Sequence, residues 1–305
     1  MGNRQDACST GNGVLSMSMS MSMSMGTIEI NGTQHAYQLT APTELPEVLV
    51  FVHGWMLSRH YWEPVVKLFA PTYQCLYYDL RGFGQSKIVP QENAAPDYGP
   101  DAYAEDLTVL LEKLNISRAW LVGHSLGGTI AIVAASLMPE RVKGVICVNA
   151  GGGVYLKEEF DRFRNAGQQI VKFRPRWLSY IRFLDWIFAR SQVYRPVDIR
   201  WGKQRVIDFF DADEGAALGT LLDSTTEAEV ERLPKIVAGI KQPVYFIAGQ
   251  EDKVIELKYV RHLASFHWLF EEGERNAIAI PNCGHLAMVE QTDALADIMM
   301  DIVNC

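Results

Sequence analysis

The feature that most constrains this 305-residue chain is a series of short apolar runs, each stopped by Gly, Asp or Asn and separated by longer stretches of helical period. VLVFV (48–52), CLYYD (75–79), AWLV (119–122), VICVN (145–149), VYFIAG (244–249) and AIAI (277–280) are continuous in hydrophobicity rather than alternating. A strand is apolar on both sides where both faces of its sheet are covered, which is the condition of a parallel sheet with crossover helices. TIEI (27–30) and AYQL (36–39) meet across Asn31-Gly32, a dipeptide that accepts the positive φ of a tight hairpin turn. Leu107, Leu110, Leu111 and Leu114 form one helical stripe, and residues 295–303 repeat the pattern. The expectation is an α/β fold: a doubly wound, mostly parallel sheet of eight strands.

Between Asn149 and Val244 about 90 residues carry few strand-like runs, too many for an ordinary connection. They read as an inserted helical cap over 154–240, with the core formed by 26–153 and 241–305. Residues 157–205 hold 12 Lys/Arg against 5 Asp/Glu, although the whole chain has a formal charge of −8. Aromatic residues crowd the same stretch, among them Phe173, Trp177, Tyr180, Phe183, Trp186 and Trp201. Such a mixture suits peripheral contact with a lipid surface. The plainer expectation, given more weight, is that the aromatics pack the cap onto the core and the arginines are solvated.

Residues 1–25 end in an uninterrupted Ser-Met alternation over 16–25 and read as a disordered low-complexity tail. The leader lacks the positive bias of a secretory signal, and Asp6 stands where a myristoylation motif needs Ser or Thr. An acidic balance of 36 Asp+Glu to 28 Lys+Arg argues against nucleic acid as a partner. Cys8, Cys75, Cys147, Cys283 and Cys305 are odd in number and form no CxxC or zinc-spaced cluster. A reducing, cytoplasmic compartment and no bound metal are expected, and no apolar run is long enough for a membrane span.

The chemistry is concentrated in four segments. Gly123-His124-Ser125-Leu126-Gly127 lies between an apolar run and a small-residue helical stretch, the setting of a nucleophile elbow, where glycines two residues either side of Ser125 permit a strained turn. A serine hydroxyl is a weak nucleophile until a histidine takes its proton and a third group orients that histidine. His285 follows the last apolar run and precedes the final helix, at the expected carboxyl edge of the sheet, whereas His262 and His267 fall in a helical stretch. The third group is Asp252 or its neighbour Glu251, after the run ending at Gly249. In the fourth segment, His53-Gly54-Trp55, the backbone turns sharply at Gly54, so that the N–H groups of Trp55 and Leu126 would form an oxyanion hole. Trp55 and His124 are the expected substrate-binding walls.

Taken together, the HGW segment, the turn Asp79-Leu80-Arg81-Gly82-Phe83-Gly84-Gln85-Ser86, the GHSLGG elbow, the G-x-x-D segment and the closing Gly284-His285 resemble the α/β-hydrolase superfamily in order and content over residues 27–305. The pattern is nearest the capped esterase, haloperoxidase-like and C–C hydrolase branch. The resemblance favours Asp252 over Glu251, through the shared three-residue spacing after Gly249. It treats Asp79 and Arg81 as scaffold. Ser125 occupies the position where haloalkane dehalogenases and epoxide hydrolases carry Asp, which implies an acyl-enzyme and no cofactor. The implied activity is hydrolysis of a carboxylic ester, and the aromatic, arginine-rich composition of the cap together with Trp55 favours an apolar or lipid-like acyl or alcohol group. A C–C bond hydrolase or perhydrolase with the same residues is the near alternative, and a non-catalytic binding protein the distant one.

Overall fold

The computed structural model describes residues 23–89, 97–151 and 157–304. Its strands are β1 (Met23–Ile30), β2 (Thr33–Thr40), β3 (Val48–Val52), β4 (Gln74–Tyr78), β5 (Lys87–Ile88), β6 (Ala119–His124), β7 (Val142–Val148), β8 (Val244–Gly249) and β9 (Ala277–Ile280). The eight expected runs form one sheet in the order β1-β2-β4-β3-β6-β7-β8-β9, and the two-residue β5 adds a ninth strand beside β2. Pairing is parallel from β4 to β9 along this order and antiparallel for β1 with β2 and β2 with β4.

The expected tail of residues 1–25 lies outside the described residues up to 22, and its last three residues are strand instead. Met23, Ser24 and Met25 pair with Thr40, Leu39 and Gln38. An alternation too poor for a core still has the period of two that an edge strand needs. The Tyr77 hydroxyl donates to Met23 Sδ at 3.2 Å.

All five residues of β3 are buried. Val48, Val50 and Val52 join one core layer while Leu49 and Phe51 join the other. Each such side chain contributes on the order of 2 kcal/mol through burial. On the first face lie α2 (Pro100–Lys113), α3 (Leu126–Leu137) and α9 (Leu257–Ala264); on the second lie α1 (Glu63–Phe69), α10 (Ala287–Glu290) and α11 (Thr292–Val303). Of the expected stripe, Leu107, Leu110 and Leu111 are fully buried in α2, whereas Leu114 caps the helix end and is only partly buried. From β3 the chain adds β4 on one side and then, from β6 onward, builds the other. The loops leaving β3 and β6 therefore diverge at their carboxyl ends and open a crevice at this switch point.

Between β7 and β8 the described chain is helical: α4 (Lys157–Lys172), a tight turn over 176–180, α5 (Arg182–Phe188), α6 (Ile199–Asp211), α7 (Glu214–Ser224) and α8 (Glu227–Gly239). Asp198, Asp213 and Thr226 cap α6, α7 and α8 by accepting the N–H groups of Arg200, Ala216 and Glu229. The expectation that the aromatics here pack inward is corrected for several of them. Trp201 is buried, but Phe173, Trp177, Tyr180, Phe183 and Trp186 are 47 to 85% exposed. For Phe183 and Trp186 the cause lies in α5, whose inner face is closed against α6 at Gly202, where a Cβ would overlap the Asp185 carbonyl.

The insertion is fastened to the core through Asp208 of α6. Its Oδ2 accepts from Ser58 Oγ at 3.0 Å, in the loop after β3, and its Oδ1 accepts from Gln204 Nε2 at 2.9 Å. Burial pushes the Asp208 carboxyl up to about 7, against the pull of those two hydrogen bonds. A carboxyl raised above its unfolded value near 3.9 stabilises the fold fully below that value and loses the contribution as pH rises through about 7. Relative to Asp208→Asn, the parent protein should therefore lose stability between about pH 4 and pH 7, measured by thermal unfolding across that window.

Candidate active site

Ser125 occupies the turn between β6 and α3 at φ +52° and ψ −120°, a conformation that costs a residue bearing a side chain on the order of 1–3 kcal/mol. Its N–H donates to the Val148 carbonyl and its carbonyl accepts from Gly128 N–H, both at 2.9 Å. A Cβ on Gly123 would overlap the Gly127 carbonyl, and one on Gly127 would lie 2.6 Å from the His53 carbonyl oxygen. Contact distance thus requires both glycines of the motif. Ser125 and His285 line one cavity of about 450 Å³ at the crevice above the sheet.

Asp252 and His285 come together as the sequence suggests: His285 Nδ1 lies 2.8 Å from Asp252 Oδ2. The same oxygen accepts from Asn149 Nδ2 at 2.9 Å, and Oδ1 accepts from the N–H groups of Val254 and Ile255 at 2.8 and 3.0 Å. Burial by itself would raise the Asp252 pKa. The charge and hydrogen bond of His285, with the two backbone donors, outweigh it and hold the carboxyl below its ordinary value. An ionised carboxylate only accepts, so it fixes the His285 proton on Nδ1 and leaves Nε2 as the basic nitrogen. The neighbouring Glu251 is exposed and makes no such contact; its backbone N–H binds the Cys283 carbonyl.

The structure places both Trp55 and His124 along the cavity. Trp55 lines the cavity and its indole Nε1–H donates to the Ala217 carbonyl of α7 at 2.8 Å, joining the loop after β3 to the insertion. His124 also lines the cavity, with Nε2–H donating to the His285 carbonyl at 2.8 Å. Burial, then the neighbouring His285, pushes His124 down to about 3, so it is neutral. Leu126 opens α3, where N–H groups have no intrahelical partner, and faces the same cavity. Met56, Leu57, Phe188, Phe209 and Leu221 make much of the remaining wall apolar.

His53 is buried and structural. The Leu80 N–H donates to its Nε2 at 2.9 Å, so its Nδ1 carries the proton that the Gly54 carbonyl accepts at 2.8 Å. Asp79 is likewise scaffold, accepting from the Arg59 guanidinium and from the N–H groups of Arg59 and Gln85. His267 is not helical as expected. Helix α9 ends at Ala264, and His267 Nδ1 accepts the N–H of Leu269 while Nε2–H donates to the Gln242 carbonyl. Among the described residues no group of three or more His, Cys, Asp or Glu is arranged to hold a metal ion.

Three residues of the site escaped the sequence reading. Asn149, at φ +50°, donates to Asp252 and also to the Gly284 carbonyl at 3.1 Å. Its signal was an amide ending a buried strand run. Gln192, from the insertion, accepts the His285 N–H at 2.8 Å through its carbonyl, a main-chain contact with no side-chain signature. Glu290 accepts from the N–H groups of Gly284, Tyr194 and Arg195, each at 2.8 Å, and so staples the insertion to the histidine loop.

A family model described as alpha/beta hydrolase fold matches residues 47–292, and the chain belongs to that family. It is 26% identical over 270 residues to 2-succinyl-6-hydroxy-2,4-cyclohexadiene-1-carboxylate synthase of Salmonella arizonae, covering 88% of this chain and 98% of that protein. Among solved structures, a thermophilic esterase from Thermogutta terrifontis superposes with TM-score 0.72 at 19% identity, over 92% of this chain and 97% of that one. A bromoperoxidase from Bacillus anthracis superposes with TM-score 0.73 at 20% identity, over 93% of this chain and all of the other. At those identities the two structures speak for the fold alone.

Asn149→Ala removes a donor to a buried charge and should cost roughly 1–3 kcal/mol of stability near neutral pH. Because a depressed carboxyl loses its contribution as pH falls through its folded value, the gap to the parent should narrow on acidification. Chemical denaturation of both proteins at about pH 7, about pH 4 and about pH 2.5 checks this, the narrowing being expected only below the free carboxylate value near 3.9.

Proposed function

We propose that this protein is a serine hydrolase that cleaves carboxylic esters with an apolar acyl or alcohol group through an acyl-enzyme. One observation carries the reading: His285 is held by a charged, fully hydrogen-bonded Asp252 with Nε2 as its basic nitrogen, and it lines one cavity with the strained Ser125. Ser125 Oγ attacks the ester carbonyl while His285 Nε2 takes the hydroxyl proton. The N–H groups of Trp55 and Leu126 receive the oxyanion, each such donor being worth about a hundred- to a thousandfold in rate. Collapse of the adduct expels the alcohol, which leaves with the proton returned by His285. Water, deprotonated by the same nitrogen, then attacks the acyl-serine, and the acyl–Oγ bond breaks as His285 returns the proton to Ser125 Oγ, releasing the carboxylic acid.

The apolar walls supplied by Met56, Leu57, Phe188, Phe209 and Leu221 support an apolar cargo. A second reading, a reaction at a carbon–carbon bond with the same three residues, is favoured by the name of the Salmonella relative, a cyclohexadiene-carboxylate synthase. The cation in the wall, Arg205, directs its N–H groups to the Phe188 and Ser191 carbonyls, Ser191 Oγ and Gln192 Oε1, a scaffolding role that favours the ester reading over an acidic substrate.

A fluorophosphonate probe should label the parent protein and not Ser125→Ala, which should also lose about 10⁴-fold or more in ester turnover. Asp252→Asn should cost far more than Glu251→Gln in the same assay. Long-chain esters should be cleaved faster than acetate esters; the reverse order would remove the apolar-cargo reading while leaving the acyl-enzyme in place.

A further inference from the structure

The outer face of α5 is an apolar stripe without a partner in the described chain. Phe183, Trp186 and Ile187 stand at i, i+3 and i+4, the spacing by which a globular helix normally buries a face, and Arg190 follows in the turn after the helix. Here Phe183 is 62% exposed and Trp186 47% exposed. The two rings stack at 5.5 Å with planes 15° apart, and the Arg190 guanidinium lies 4.2 Å over the Trp186 ring. Rotation of α5 cannot bury the stripe, because the opposite face is already closed against α6 at Gly202 and sends Phe188 into the cavity wall. In the preceding turn Trp177 and Tyr180 are 63 and 85% exposed.

Charge identifies the occupant. Residues 157–205 carry 12 cationic and 5 anionic side chains in a chain of net charge −8. Lys172, Arg182, Arg190, Arg195, Arg200 and Lys203 are exposed there. A second copy docking through the same face would bring like charges together. An anionic surface is attracted to this segment and repels the acidic remainder of the molecule, which sets the orientation. Exposed Trp, Tyr and Phe flanked by arginines have the composition that settles at the boundary of headgroups and acyl chains. The cavity borders the same segment: Ile170 of α4 lines it and is 47% exposed, and Phe173, 77% exposed, follows three residues later.

We propose that α5 and the turn before it dock this protein onto an anionic lipid bilayer, with Phe183 and Trp186 entering the headgroup boundary and the flanking arginines pairing with lipid phosphates. Docking is peripheral, and among the described residues no helix is long and apolar enough to cross a membrane. The proposal does not depend on the ester chemistry above.

Co-sedimentation of the full chain with vesicles tests it, using equal parts phosphatidylglycerol and phosphatidylcholine against phosphatidylcholine alone. The protein should pellet with the anionic vesicles, bind the neutral ones far less, and be released as salt approaches about 1 M, where charges are screened beyond about 3 Å. The double variant Phe183→Ser/Trp186→Ser and, separately, Arg182→Ser/Arg190→Ser should each weaken anionic-vesicle binding by roughly tenfold or more. Unchanged circular dichroism of both variants shows that the fold is intact. Absence of binding to anionic vesicles, equal binding by the folded variants, or a solution dimer that the aromatic variant dissociates would each overturn the proposal.

Discussion

The buried carboxylate of Asp252 takes hydrogen bonds from three separate segments: Asn149 after β7, Val254 and Ile255 in its own loop after β8, and His285 after β9. A charge with no exposed side-chain surface persists only with its lone pairs occupied, so each donor is held to its place by the cost of leaving the others unpaired. Three loops at the carboxyl ends of β7, β8 and β9 are thereby locked into one rim. Gly249 completes the arrangement, since a Cβ there would lie against the main chain of Cys283 and Gly284. The tautomer of His285, on which the proposed chemistry turns, follows from the ionisation of that one group.

The insertion is part of this rim as well as a cover over it. Gln192 holds the His285 N–H, and Glu290 holds Gly284, Tyr194 and Arg195. Arg205 in turn fixes the segment that carries Gln192. The stretch around 188–195 is therefore tied to the histidine loop at several points. Trp55 makes a further tie between the loop after β3 and α7. The cavity wall and the histidine loop are coupled through these main-chain and side-chain hydrogen bonds.

The strands were legible because burial on both faces leaves an unbroken apolar run, and VLVFV divides between the two core layers with the period of a strand. The turn at Ser125 was legible because its glycines answer to steric overlap, which is local. The contact of His285 with Asp252 could be expected from loops that end neighbouring strands. Other features leave no such trace. Gln192 acts through its carbonyl, Glu290 binds three N–H groups, and β5 is two residues long. The exposure of Phe183 and Trp186 depends on α6 having claimed the inner face of α5, a fact of packing that helical periodicity alone does not distinguish from a buried face. The first residues of β1 were hidden by a low-complexity alternation whose period also fits a strand.

The most direct test of the acyl-enzyme at Ser125 is the intact mass and peptide map of the protein after incubation with an aryl carbamate, whose carbamoyl-serine hydrolyses slowly. One carbamoyl group on the peptide containing Ser125, rising in step with the loss of ester turnover, is the expected result. Turnover lost while Ser125 stays unmodified, or a carbamoyl group carried by another residue, would contradict it.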